Sequence, residues 1–131
     1  MKVLTVKNPW ADWIIFGMGY GRGFSHPDIK TTENRTWQTL YRGKIAIHVS
    51  KKLDISKVRS WNARQEDLAR WGSQAGKIIG VVELYTIDKE FKTGWDEAGL
   101  FHWRLRNPQP LKSPVLAQGG LGLWDYAGIL E

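Results

Sequence analysis

The sequence predicts a single α+β domain in which several short strands close on themselves around a small core. Three observations predict it. Apolar residues alternate at Ile45, Ile47 and Val49 and run almost unbroken from Ile78 to Leu84, the patterns of a half-buried and a fully covered strand. Helical apolar spacing appears in two stretches, Pro9 to Phe16 and Asp54 to Gly72. No repeat, low-complexity tract or linker divides the 131 residues, a length that buries an ordinary core without staples.

Taken in order, Met1 to Lys7 alternates as a first strand and stops at Asn8-Pro9. Asn8 is suited to cap a helix and Pro9 to occupy its first position, with Trp10, Trp13, Ile14 and Phe16 forming the apolar face. Gly17, Gly19, Gly21 and Gly23 then interleave with larger residues, so a mobile surface loop is expected as far as Lys30. The spacing of these glycines matches neither a Walker A loop nor a dinucleotide fingerprint, and no cofactor is expected. Thr31 to Trp37 is β-prone and is expected to pair, through a turn at Leu40 to Gly43, with a strand from Tyr41 to Val49.

Asp54 to Gly72 reads as helix with a break at Asn62-Ala63. Gly76 to Tyr85 reads as the central strand, and Ile87 to Leu100 as a polar excursion. Phe101 to Leu105 alternates as another strand, which Asn107-Pro108-Gln109-Pro110 is expected to end. Val115 to Ala117 opens a closing segment that finishes at Gly119 to Tyr126. Trp71, Trp103 and Trp124 fall among core-patterned positions and are expected to be buried.

The absence of cysteine removes disulfides and thiolate metal sites, which makes a cytoplasmic protein the default. No apolar run approaches the ~20 residues needed to cross a bilayer, and no signal segment opens the chain, so no membrane partner is expected. The three histidines sit at no metal-ligand spacing. A formal charge of +6, from 19 Lys and Arg against 13 Asp and Glu, favours polyanionic partners. Eight tryptophans suggest core and rim packing, with one or two free to stack on a base.

The unusual chemistry is concentrated at Lys30-Thr-Thr-Glu33-Asn-Arg35, just before the Ile45 strand. This block resembles the K-x-x-E-x-R signature of the ASCH domain family, within the PUA-like superfamily. Leu4 to Ala11, Glu33 to Trp37 with Tyr41-Arg42-Gly43 and Ile47-His48, and Trp103 to Pro108 with Gly119 to Trp124 are also similar to the family, in the same order over nearly the whole chain. At the signature's leading glycine this chain has Asp28. The resemblance implies a small PUA-like β-barrel with flanking helices and a cleft at one mouth, in proteins mostly associated with RNA. One enzymatic branch removes the acetyl group of N4-acetylcytidine with a lysine, a threonine three residues later and a distant glutamate. Here Lys30 matches, but the third position after it is Glu33.

The leading expectation is a binding module for RNA or another single-stranded nucleic acid, or for a modified nucleoside, with a basic cleft lined by Lys30, Glu33, Arg35, Trp37, Tyr41, Arg42, Ser50, Lys51 and Lys52. Two alternatives stand beside it: a hydrolase acting on RNA or a modified nucleoside, with Lys30 as base or electrostatic group and Glu33 as proton carrier, and a protein-interaction domain. Lys30, at the end of the glycine loop, is expected to have the freest side chain. Positive charge is expected to gather on one face from Arg22, Lys30, Arg35, Arg42, Lys51 and Lys52. Glu83 is expected to pair with Arg35 or Lys44, and His48 to be a satisfied core or rim residue.

Overall fold

In the computed structural model, which describes residues 1–131, the opening strand β1 (Lys2–Val6) delivers the chain to Asn8, whose Oδ1 accepts the Asp12 amide at 2.9 Å and so caps α1 (Trp10–Ile15). The next elements are β2 (Thr32–Arg35), β3 (Gly43–Val49), α2 (Ile55–Ser60) and α3 (Gln65–Gln74), then β4 (Lys77–Asp88), β5 (Phe101–Leu116) and β6 (Leu123–Asp125). The strands form one mixed sheet in the order β2-β5-β4-β3-β1-β6, curled into a half-barrel. The curl brings β2, at one edge, within reach of β1, fifth in the order: Arg35 Nη2 donates to the Thr5 carbonyl at 2.9 Å.

Alternation along the strands divides the apolar residues between two faces. The larger core lies on the side that α1 covers. Ile14 and Ile15 meet Leu4, Ile45, Ile47, Ile79, Val82, Leu84 and Trp103 there. Gly80 on β4 is where the helix comes closest: a Cβ on it would lie 2.7 Å from the Ile15 side chain and 2.9 Å from the Gln109 carbonyl. A smaller cluster of Val3, Ala46 and Ile78 occupies the other face, under Trp124 and Tyr126. Trp71 and Trp103 are fully buried as expected, whereas Trp124, on the short edge strand β6, is only half-buried.

Several expectations are corrected. β2 and β3 do not form a hairpin. β2 pairs antiparallel with β5, Glu33 opposite Trp103 and Asn34 opposite His102, while β3 lies between β1, to which it is parallel, and β4. The connection packs Trp37 edge-on against Trp103 at 4.8 Å, and the Trp103 indole N–H donates to the Trp37 carbonyl, so the chain crosses the core mouth instead of turning back. β5 does not end at Asn107-Pro108-Gln109-Pro110; it runs on to Leu116 by means of register shifts against β4. The break expected at Asn62-Ala63 is present, with Asn62 in a left-handed conformation between α2 and α3. The glycine loop is a folded one: Met18 and Asp28 exchange backbone hydrogen bonds, a 3-10 turn covers Tyr20–Arg22, and Arg22 docks on Asp67. No helix is long and apolar enough to cross a membrane.

Candidate functional site

Residues two apart on a strand share a face, and on β2 this places Arg35 beside Glu33. Arg35 Nε donates to Glu33 Oε2 at 2.9 Å, and the Lys30 ammonium donates to Oε1 at 3.0 Å. Lys30 is not the free side chain expected at the end of a flexible loop. It is 3% exposed, its amide donates to the Trp13 carbonyl, and its ammonium also donates to the Thr32 carbonyl. The reason is electrostatic: Glu33 is itself 7% exposed, and a buried carboxylate needs its cations close. Burial alone would raise the Glu33 pKa, but the Lys30 and Arg35 charges and their hydrogen bonds outweigh it and hold it below the usual value. Glu33 is therefore ionised at neutral pH.

Two cavities meet over Glu33 and Asn34. The first, about 280 Å³, has the indoles of Trp10 and Trp95 as its apolar surfaces, with Lys30, Glu33, Asp54 and Lys57 among its polar ones. Trp10 is held by its own N–H, which donates to Asp54 Oδ2 at 2.8 Å. The Lys30 and Lys57 ammonium groups each lie 5.3 Å from its ring centroid, within cation–π range. Asp54 also caps α2 by accepting the Lys57 amide, and the Trp10 hydrogen bond is the main reason its pKa is lowered. The second cavity, about 380 Å³, is lined by Lys7, Arg35, Trp37 and Ser50 among others.

Trp95 belongs to the excursion between β4 and β5, which long-range polar contacts fix in place. Asn34 Nδ2 donates to the Trp95 carbonyl at 2.8 Å, while its Oδ1 accepts the Glu97 amide and His102 Nδ1. Arg104 reaches from β5 to Asp88 and Asp96, both at 2.7 Å, and Asp96 in turn accepts the amides of Lys92 and Thr93. Burial opposes ionisation of Asp96, but these donors prevail and keep its pKa far below the usual range. Thr32, two residues after Lys30, accepts Arg104 Nη1 on its hydroxyl oxygen at 3.0 Å.

Of the residues expected at the site, Lys30 and Glu33 line the first cavity, and Glu33, Arg35, Trp37 and Ser50 the second. Lys51 lines a neighbouring cavity, and Lys52 is exposed beyond it. Tyr41 and Arg42 line neither cavity: the tyrosine hydroxyl donates to the Lys44 carbonyl and the arginine to the Thr39 and Tyr41 carbonyls, tying the turn to itself. The expected single basic face is broken up in the same way, with Arg22 held by Asp67 over the Trp61 ring. Glu83 pairs with Arg106 and Asn107 rather than Arg35; Lys44 is only its cross-strand neighbour. His48 is satisfied by Thr5 Oγ1 and the Ala117 carbonyl. No three His, Asp or Glu side chains converge as metal ligands.

Sequence reasoning missed Trp10, Asn34, Asp54, Lys57 and Trp95. Asp54 carried a readable signal as the residue opening a helix; Trp95, in a polar stretch beside Gly94, carried none. What the fold and cleft define is a class: a curled α+β domain with a cleft in which two indoles are interleaved with charged side chains. No protein-family model matches the chain, and a search of curated proteins finds no match.

Proposed function

We propose that this domain binds single-stranded nucleic acid, RNA foremost, by taking one unstacked base into the Trp10–Trp95 cavity and the adjoining sugar-phosphate into the cavity of Lys7, Arg35 and Ser50. The observation that carries this reading is the pairing of an aromatic cavity with a cationic one across the Glu33–Asn34 partition. Unstacked bases are recognised by aromatic faces and by polar groups at their edges, and phosphates by Arg and Lys. A volume of about 280 Å³ lies at the low end of small-molecule pockets, typically ~300–1,000 Å³, which suits a base better than a whole cofactor. The likeness of Lys30, Glu33 and Arg35 to the ASCH signature supports the same reading, and with it a PUA-like fold.

The hydrolase alternative has weaker support. A proton carrier works best with a pKa near the operating pH. Glu33 is held ionised, with each of its oxygens accepting from a cation, and the Thr32 hydroxyl oxygen is occupied by the Arg104 guanidinium. The test is fluorescence anisotropy with labelled single-stranded oligonucleotides between 50 and 200 mM salt, on the unmodified protein and on Trp95→Ala. Loss of one stacking partner is expected to weaken binding by about 1–3 kcal/mol. Absence of binding at every salt concentration would overturn the proposal, and turnover of RNA or N4-acetylcytidine that disappears in Lys30→Ala would replace it with the hydrolase.

A further inference from the structure

Beyond the paired cavities, the surface continues into a third, about 700 Å³, which shares Thr5 and Ser50 with the second. Its chemistry differs from that of the Trp10–Trp95 cleft. The cleft includes Glu33, Asp54, Asp96 and Glu97; the third cavity has no carboxylate in its lining, and Lys51 brings an ammonium that forms no ion pair. Opposite Lys51 lies the backbone at Gln118 and Gly119. The amides of Gln118 and Gly119, the two residues of this turn that line the cavity, donate to no protein acceptor.

This corner is held in shape from beneath. His48 Nε2 donates to the Ala117 carbonyl at 2.8 Å, the residue immediately before the free amides, and the Ala117 amide donates to the Gly76 carbonyl. The Trp124 indole N–H donates to Thr5 Oγ1, which is also 3.1 Å from His48 Nδ1. Gly119 lies directly on the histidine: a Cβ there would sit 3.0 Å from His48 Cε1, so the backbone comes closer than a larger residue permits. A lysine, the Ser50 hydroxyl and free main-chain amides, with no acid among them, are the ingredients of an anion-binding concavity.

We infer that the Lys51–Gly119 corner is a second phosphate subsite, and that the natural ligand is a single strand of several nucleotides whose backbone runs from the Trp10–Trp95 cleft past Arg35 and Ser50 to Lys51. The inference rests on the reading of the cleft as a base site and extends it, because a lone nucleotide bound there leaves the third cavity empty. A strand that engages both ends gains from the second contact without a second encounter.

The experiment compares the four nucleoside 5′-monophosphates with a mixed-sequence hexanucleotide, on the unmodified protein, Lys51→Ala, Lys51→Glu and Trp95→Ala. Lys51 is exposed, so its replacement leaves the core untouched. The hexanucleotide should bind about tenfold or more tighter than the best monophosphate. Lys51→Ala should weaken the hexanucleotide about two- to fivefold, as for an exposed charge contact, and Lys51→Glu more, with a smaller loss for the monophosphates in both. The slope of log affinity against log salt should fall by about 0.7, one phosphate of a single strand. Equal affinity for monophosphate and hexanucleotide, or a hexanucleotide indifferent to Lys51→Glu, would overturn the inference and leave the cleft reading standing. A hexanucleotide that needs Lys51 but ignores Trp95→Ala would instead overturn the cleft reading and keep the corner.

Discussion

Asp12 on α1 and Glu33 on β2 are both buried carboxylates beside an arginine, yet their surroundings differ in kind. Asp12 is 2% exposed and accepts from Arg70 Nε and Nη2, the Trp71 indole and Gln74 Nε2, with Asn8 bonded to the same glutamine. The cavity it lines is about 10 Å³, too small for a ligand. Glu33 has two cationic partners and stands between two cavities. A buried ion pair alone thus identifies no site; what distinguishes Glu33 is that part of its environment is space rather than protein. Asp12 joins α1 to α3, and Glu33 faces open space.

The sharpest way to break this comparison is Asp12→Ala, which strands a guanidinium, an indole N–H and an amide at once. Urea denaturation should show a loss of about 3–5 kcal/mol, with oligonucleotide affinity unchanged for the protein that stays folded. Lys30→Ala should follow at about 2–3 kcal/mol, because Glu33 keeps Arg35 but loses its more buried partner. Unlike Asp12→Ala it should also lower binding. A melting temperature that does not move would restore Lys30 to the free side chain the sequence suggested.

The third test uses pH. Glu33 has a folded pKa below its ordinary 4.5, so its contribution to stability is present above that value and is lost as pH falls through the lower folded pKa. The stability difference between the unmodified protein and Glu33→Gln should therefore be constant from neutral pH to about 5 and shrink in stronger acid. A gap that widens on acidification would mean burial outweighs the two cations. The smallest effect belongs to Arg42→Ala, whose bonds stay within its own turn. It should change stability by less than about 0.5 kcal/mol and leave oligonucleotide binding unaltered.

What the sequence made legible was local. β1, α1 and β4 follow from alternation and capping within a few residues of each strand or helix, and the shared face of Glu33 and Arg35 follows from strand periodicity. What it hid depends on distance along the chain. β2 chose a partner some seventy residues away over its neighbour, because Asn34 bonds His102 and Trp37 packs on Trp103, contacts that no window around residue 34 contains. Trp95 was hidden for the same reason: its position is set by Asn34 and, through Asp96, by Arg104. Summed charge also says nothing about which cations are already paired inside the fold, as Arg22 is with Asp67.

The prolines of β5 carry a consequence for how the domain behaves among its own copies. Past Leu105, whose amide still donates to the Thr31 carbonyl, the outer side of this strand has no β2 beside it and is met only by the last residue, Glu131, at Lys112; an unpaired strand edge is a template on which further chains can assemble. Pro108, Pro110 and Pro114 lie in that stretch, and prolines are tolerated in a sheet where the missing N–H would have faced outward. With the Lys112 amide already given to the Glu131 carbonyl, an approaching strand finds gaps where it needs a row of donors. The same residues that made β5 hard to read as a strand leave its outer edge a poor template for another copy.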